Sequence, residues 1–127
     1  MVSCLLIEKD DAQRQQLAFM LETLGMDCTS VPRADDGLAL IENLHPDVVV
    51  MEASEAQSVR PFLRLARQDD PAQRPPPVLL FYSKKASMDV IGETILNGAA
   101  EFLMLPFDRE LLSFKLKQAG VALPKAA

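Results

Sequence analysis

Glu8 and Lys9 follow one apolar run, CLLI (4–7), and Glu52 closes another, DVVVM (47–51). Two carboxylates at the ends of apolar runs supply the oxygen ligands that hard divalent cations require. Asp10 and Asp11 stand one and two residues beyond Lys9 and add further carboxylates. Lys9 argues the other way. An ammonium within ~4 Å of a bound cation opposes it by several kcal/mol even at an effective dielectric of about 20. Lys9 is therefore expected to pair with Glu8 or Glu52 rather than to tolerate a metal beside it. A second charged set is Arg60, Arg64 and Arg67, which share one helical face, with Arg74 following in a loop. Aligned guanidinium groups bind phosphates bidentately, and acids such as Asp69 and Asp70 satisfy the same groups. Cys4 and Cys28 are the only cysteines and His45 the only histidine, which reads as two reduced thiols and no metal centre.

The elements that must position these residues alternate regularly. Short apolar runs at 4–7, 47–51, 78–82 and 101–105, with a more polar one at 27–31, read as strands. Between and after them lie helical patterns. Leu17, Met20, Leu21 and Leu24 share one face, as do Leu38, Ile41 and Leu44. A third helix is expected over 58–68, with Pro61 tolerable only near its start. A fourth is expected over 87–98, weakened by Gly92, and a fifth from Asp108 as N-cap to Gly120. The prolines at 75–77 exclude a helix or central strand there.

Five strand–helix units predict an α/β three-layer sandwich of flavodoxin-like (βα)5 type, with a parallel sheet in order 2-1-3-4-5. In such sheets the working site lies beyond the strand C-termini, where the strand order reverses between strands one and three. That places Glu8, Lys9 and Glu52 together. Residues 1–120 make one domain and 121–127 a frayed tail.

The chain has 127 residues, and 49% of them are hydrophobic, enough for one core. The net charge of −5 argues against a sequence-independent nucleic-acid binder. No apolar stretch reaches the ~20 residues that span a bilayer, and the N-terminus lacks a signal peptide pattern, so a cytoplasmic location is expected.

Three segments carry a family resemblance: LLIEKDDAQRQQL, ADDGLALIENLHPDVVVME and NGAAEFLMLPF. In order and spacing the chain resembles the receiver domains of two-component response regulators, the CheY-like family. The resemblance implies a pocket of five positions. Two acids after strand one hold Mg²⁺, and an Asp after strand three accepts a phosphoryl group. A Thr or Ser after strand four and a Lys before the strand-five proline contact the phosphoryl group. Glu8 matches the first acid, while Lys9 stands at the second, Glu52 at the acceptor and Leu105 at the lysine. Ser83 fits the hydroxyl position, with Tyr82 the alternative if the register differs. Glu52 either imitates a phosphorylated Asp, with one charge where that group carries about two, or closes the core edge as a polar residue. The resemblance also implies a cis peptide at Leu105-Pro106 and a Phe102 that changes rotamer or is simply core.

These departures describe a degenerate pseudo-receiver with no enzymatic activity, no catalytic residue and no need for Mg²⁺. Its expected work is phosphorylation-independent protein–protein contact in bacterial signalling, without DNA or membrane. The family's docking face, built from the fourth helix, strand five and the fifth helix, would present Lys84, Lys85, Met88, Phe102, Lys115 and Lys117. Two alternatives remain open. Glu52 is a true phosphoacceptor in a phosphorelay, or the arginines of helix three bind cyclic di-GMP, as some CheY-like proteins with arginine-rich segments do.

Overall fold

The computed structural model describes residues 1–53, 56–65, 75–84, 89, 92 and 101–124. Its elements are β1 (Ser3–Ile7), α1 (Asp11–Thr23), β2 (Asp27–Val31), α2 (Ala34–Leu44), β3 (Val48–Glu52), α3 (Ala56–Leu65), β4 (Val78–Ser83), β5 (Glu101–Met104) and a C-terminal helix (Arg109–Gln118). The five strands are parallel in the order β2-β1-β3-β4-β5, as the alternation of runs and helices predicts. The central strand β3 is apolar over its first four residues because both of its faces are covered.

Side chains of a strand alternate between faces, so the sheet divides the core in two. Cys4, Leu6, Val48, Val50, Leu80, Tyr82 and Leu103 pack against Leu17 and Leu21 of α1 and Leu112 and Leu116 of the C-terminal helix. Leu5, Ile7, Val49, Met51, Leu79 and Phe81 pack against Phe62 and Leu63 of α3 and the apolar side of α2. Among the described residues, α1 and the C-terminal helix cover one face and α2 and α3 the other, which gives the three layers. Gly37 lets α2 approach closely, since a Cβ there would lie 2.5 Å from the Ile7 Cδ1 atom.

Helix ends are set by local chemistry. Asp10 caps α1 by accepting from Gln13 N–H at 2.8 Å, and Asp108 caps the C-terminal helix by accepting from Leu111 N–H at 2.7 Å. Both helices stop in the same way. Gly25 and Gly120 adopt positive φ, and the next N–H reaches back five residues: Met26 to the Leu21 carbonyl and Val121 to the Leu116 carbonyl. The apolar pairs Met26–Leu21 and Val121–Leu116 are buried, which ties each stop to the core.

Two expectations change. The chain after Gly120 is not frayed at once: Val121 is 7% exposed, Leu123 packs beside it, and Pro124 lies over Gly25. The buried Val121 belongs to the core rather than to a tail. Pro61 is the sixth residue of α3, beyond the first turn, where its ring removes one helical hydrogen bond. Burial of the neighbouring Phe62 and Leu63 holds the helix against that loss. No helix among the described residues is long and apolar enough to cross a membrane. The expected fourth helix over 87–98 lies outside the described residues apart from Asp89 and Gly92, which are both helical.

Candidate functional site

The site is assembled at the C-terminal edge of β1, β3, β4 and β5. Ile7 pairs with Met51, Glu52 with Tyr82 and Tyr82 with Leu103, so Glu8, Glu52, Tyr82 and Leu105 fall on the face covered by α1 and the C-terminal helix. Glu8 is 2% exposed, an unusual burial for a carboxylate. Its backbone N–H donates to the Val31 carbonyl at 3.0 Å, and its Oε2 accepts from Asp10 N–H at 3.4 Å. Glu52 is only half-buried.

Tyr82 fills the space between these acids and β5. It is 0% exposed, and its ring meets Phe107 edge-on with centroids 6.3 Å apart. Leu105 and Phe107 close over it, on either side of the cis Leu105-Pro106 peptide. Glu8 Oε1 and Tyr82 Oη are both buried, and neither makes a hydrogen bond of ordinary geometry with a described residue. They are nonetheless close enough to act on one another. Burial pushes the Tyr82 phenol far above its ordinary value, and the Glu8 carboxylate, as charge and as acceptor, and the Glu52 charge push it further.

The register decides between the two hydroxyl candidates. Ser83 pairs with Met104 and follows Phe81's neighbour by one residue, so alternation turns it toward the face of α2 and α3. Tyr82 is the residue that faces Glu8 and Glu52. Of the two candidates read from sequence, Tyr82 and not Ser83 shares the face of Glu8 and Glu52.

Of the other residues singled out from sequence, Lys9 is exposed, one residue beyond buried Glu8. Asp10 spends its carboxylate on the α1 cap, and Asp11 pairs with Arg14 at 2.5 Å. Arg14 also donates to the Glu8 carbonyl at 2.8 Å. Nothing in the spacing beyond the i, i+3 pairing with Asp11 marks Arg14, yet it clamps the end of β1 to α1. Lys84 is exposed and lines a groove of about 340 Å³ with Gln13, Gln16, Leu105 and Phe107. Phe102 is half-buried against the Phe81 cluster. Lys115 pairs with Glu101 at 3.3 Å, and Lys117 is exposed. Arg60 and Arg64 are both exposed on α3. Lys85, Met88, Arg67 and Arg74 lie outside the described residues. Among the described residues no three His, Cys, Asp or Glu side chains converge as a metal-ligand set.

The sequence pattern had not marked three exposed apolar residues on β5 and the C-terminal helix. Met104 on β5 and Leu111 and Phe114 on the C-terminal helix are open to solvent, Phe114 by 55%.

A five-stranded parallel sheet in this order, with acids at the ends of β1 and β3, has the CheY-like fold of response regulator receiver domains. Solved structures bear this out along nearly the whole chain. A response regulator receiver domain protein from Clostridium thermocellum superposes with a TM-score of 0.78 at 17% identity, covering 94% of each chain. The chemotaxis response regulator CheY4 of Vibrio cholerae gives 0.77 at 19%, covering 94% of this chain and 98% of its own. A CheY-like receiver domain protein from Methanospirillum hungatei gives 0.78 at 20%, covering 93% and 92%. No family model matches the sequence, and no curated protein does.

Proposed function

We propose that the chain is a pseudo-receiver: a cytoplasmic signalling module that works by protein contact and does not run a phosphoryl-transfer cycle. The observation that supports this best is the burial of Tyr82 between Glu8, Glu52 and the Leu105–Phe107 segment. A buried aromatic ring stands beside the two acids, on the face where the resemblance puts the phosphoryl group. Phosphoryl transfer depends on positioned cations that meet the developing charge. Here the residue that the resemblance puts at the lysine position is Leu105, which packs against the cluster that contains Tyr82.

The donors also fit Mg²⁺ poorly. Mg²⁺ demands near-octahedral oxygen ligands. Glu8 has one oxygen taken by the Asp10 N–H, Asp10 is committed to a helix cap, Asp11 is paired with Arg14, and Lys9 brings positive charge to the place of the second acid. Glu52 in this setting is a polar closure of the β3 end, facing Tyr82 across the ladder.

Output through β5 and the C-terminal helix is supported by the exposed Met104, Leu111 and Phe114 beside the Glu101–Lys115 pair. Apolar side chains rimmed by charge are the usual make-up of a protein-binding patch.

Beryllofluoride, a phosphoryl analogue, tests the reading. Titration with beryllofluoride and Mg²⁺ is expected to leave the amide NMR spectrum unchanged around Glu8, Glu52 and Tyr82. Saturable, Mg²⁺-dependent shifts at those three residues would remove the proposal.

A further inference from the structure

Cys4 of β1 and Cys28 of β2 are direct cross-strand partners. Paired residues of a parallel ladder point to the same face, and Cys28 packs against the cluster that contains Cys4. Neighbouring strands run about 4.8 Å apart, within the ~4.4–6.8 Å Cα separation that a disulfide spans. Both cysteines are free thiols, and they lie close enough to hydrogen-bond to each other. The pair is asymmetric. Cys4 is buried in the core, whereas Cys28 is only half-buried, on the edge strand, and is the more accessible of the two.

We propose that Cys28 and Cys4 form a peroxide-oxidisable dithiol, with Cys28 the reacting sulfur and Cys4 the resolving one. The Cys28 thiolate attacks one oxygen of a hydroperoxide such as hydrogen peroxide. The O–O bond breaks, hydroxide leaves and takes up a proton as water, and Cys28 becomes a sulfenic acid. The Cys4 sulfur then attacks the Cys28 sulfur. The S–S bond forms, the S–O bond breaks, and the departing hydroxide leaves with the Cys4 proton as a second water. Two thiols give up two electrons, and one peroxide is reduced to two waters.

The surroundings favour this division of labour. The Cys4 S–H donates to Cys28 and holds the Cys28 thiol below its ordinary value, while burial and the charges of Glu22 and Asp27 act against that shift. The same bond, followed by burial, holds Cys4 well above its ordinary value, so it keeps its proton until Cys28 is oxidised. A more acidic thiol on the accessible member and a less acidic one on the hidden member is the arrangement of redox-sensing pairs, whose disulfides are transient in reducing compartments. The product would tie the edge strand β2 to β1, on the strand that leads into Glu8. It stands independently of how the Glu8–Tyr82 pocket works.

The test is intact-mass and peptide analysis of the native chain after brief hydrogen peroxide treatment and alkylation. Wild type is expected to lose two hydrogens per chain, reversibly with a dithiol reductant, and to yield a tryptic cross-link between peptides 1–9 and 15–33. Cys4→Ser is expected to stop at a sulfenic acid on Cys28 that dimedone traps. Cys28→Ser, changed at the more exposed position, is expected to show no cross-link and no reaction at Cys4. Wild-type Cys28 accumulating as sulfinic acid with Cys4 alkylated, or disulfide-linked dimers in place of the internal bond, would overturn the proposal. So would oxidation that occurs only after unfolding.

Discussion

Tyr82→Ala is expected to destabilise the chain by about 3–5 kcal/mol, and Tyr82→Phe by less than about 1 kcal/mol. The difference follows from which part of the side chain the fold uses. The ring is wholly buried in the core and packs edge-on against Phe107, so its removal leaves a cavity that the strand backbone cannot close. The hydroxyl meets the Glu8 carboxylate without a hydrogen bond of ordinary geometry, so its loss costs no more than about one weak bond. Urea unfolding followed by circular dichroism measures both variants. A Tyr82→Phe cost as large as that of Tyr82→Ala would mean that the phenol, not the ring, holds the pocket together.

The second large effect concerns alkaline pH. Tyr82 is the only tyrosine and the chain has no tryptophan, so phenolate absorbance reports this one group. Its folded value lies above the ordinary value because of burial and then of the Glu8 and Glu52 charges. The folded state therefore holds the proton more tightly than the unfolded chain does. The stability this gives is fully present below the unfolded value of about 10 and is lost as pH rises above it, at up to about 1.4 kcal/mol per pH unit. Native chain taken through pH 10 should show no phenolate until circular dichroism falls, and the two signals should then change together. Tyr82→Phe should flatten the alkaline loss of stability by that amount. Reversible phenolate formation near pH 10 with the fold intact would show the phenol to be solvated.

Much of the scaffold was legible because its signals are local. Asp108 caps its helix as its place before the helical pattern implies, and Gly120 turns the chain at positive φ, whereas Asp10, read as a spare carboxylate, proves to be the cap of α1. The doubly apolar run of β3 announces a central strand. The topology then brings Glu8 and Glu52 together without further information. What the pattern hid is the face of β4. VLLFY is apolar throughout because both sides are covered, so the period of two that would separate Tyr82 from Ser83 is erased. A shift of one residue exchanges a buried phenol for a hydroxyl on the other side of the sheet. Arg14 was hidden for a different reason, since its contact with the Glu8 carbonyl crosses from helix to strand and leaves no mark in the spacing. The solvent-exposed Phe114 was hidden too, because a helical pattern of Leu and Phe does not say which apolar residue the core leaves out.

These observations converge on one pocket. Tyr82 and Leu105 bring apolar bulk to it, Lys9 stands one residue beyond buried Glu8, and the caps and pairs of α1 engage the neighbouring aspartates. The sharpest measurement is intact mass after incubation with acetyl phosphate and Mg²⁺, with Glu52→Gln alongside. The account predicts an unchanged mass for wild type and variant alike. A gain of one phosphoryl group on wild type that is lost in Glu52→Gln would contradict it and make Glu52 a working phosphoacceptor.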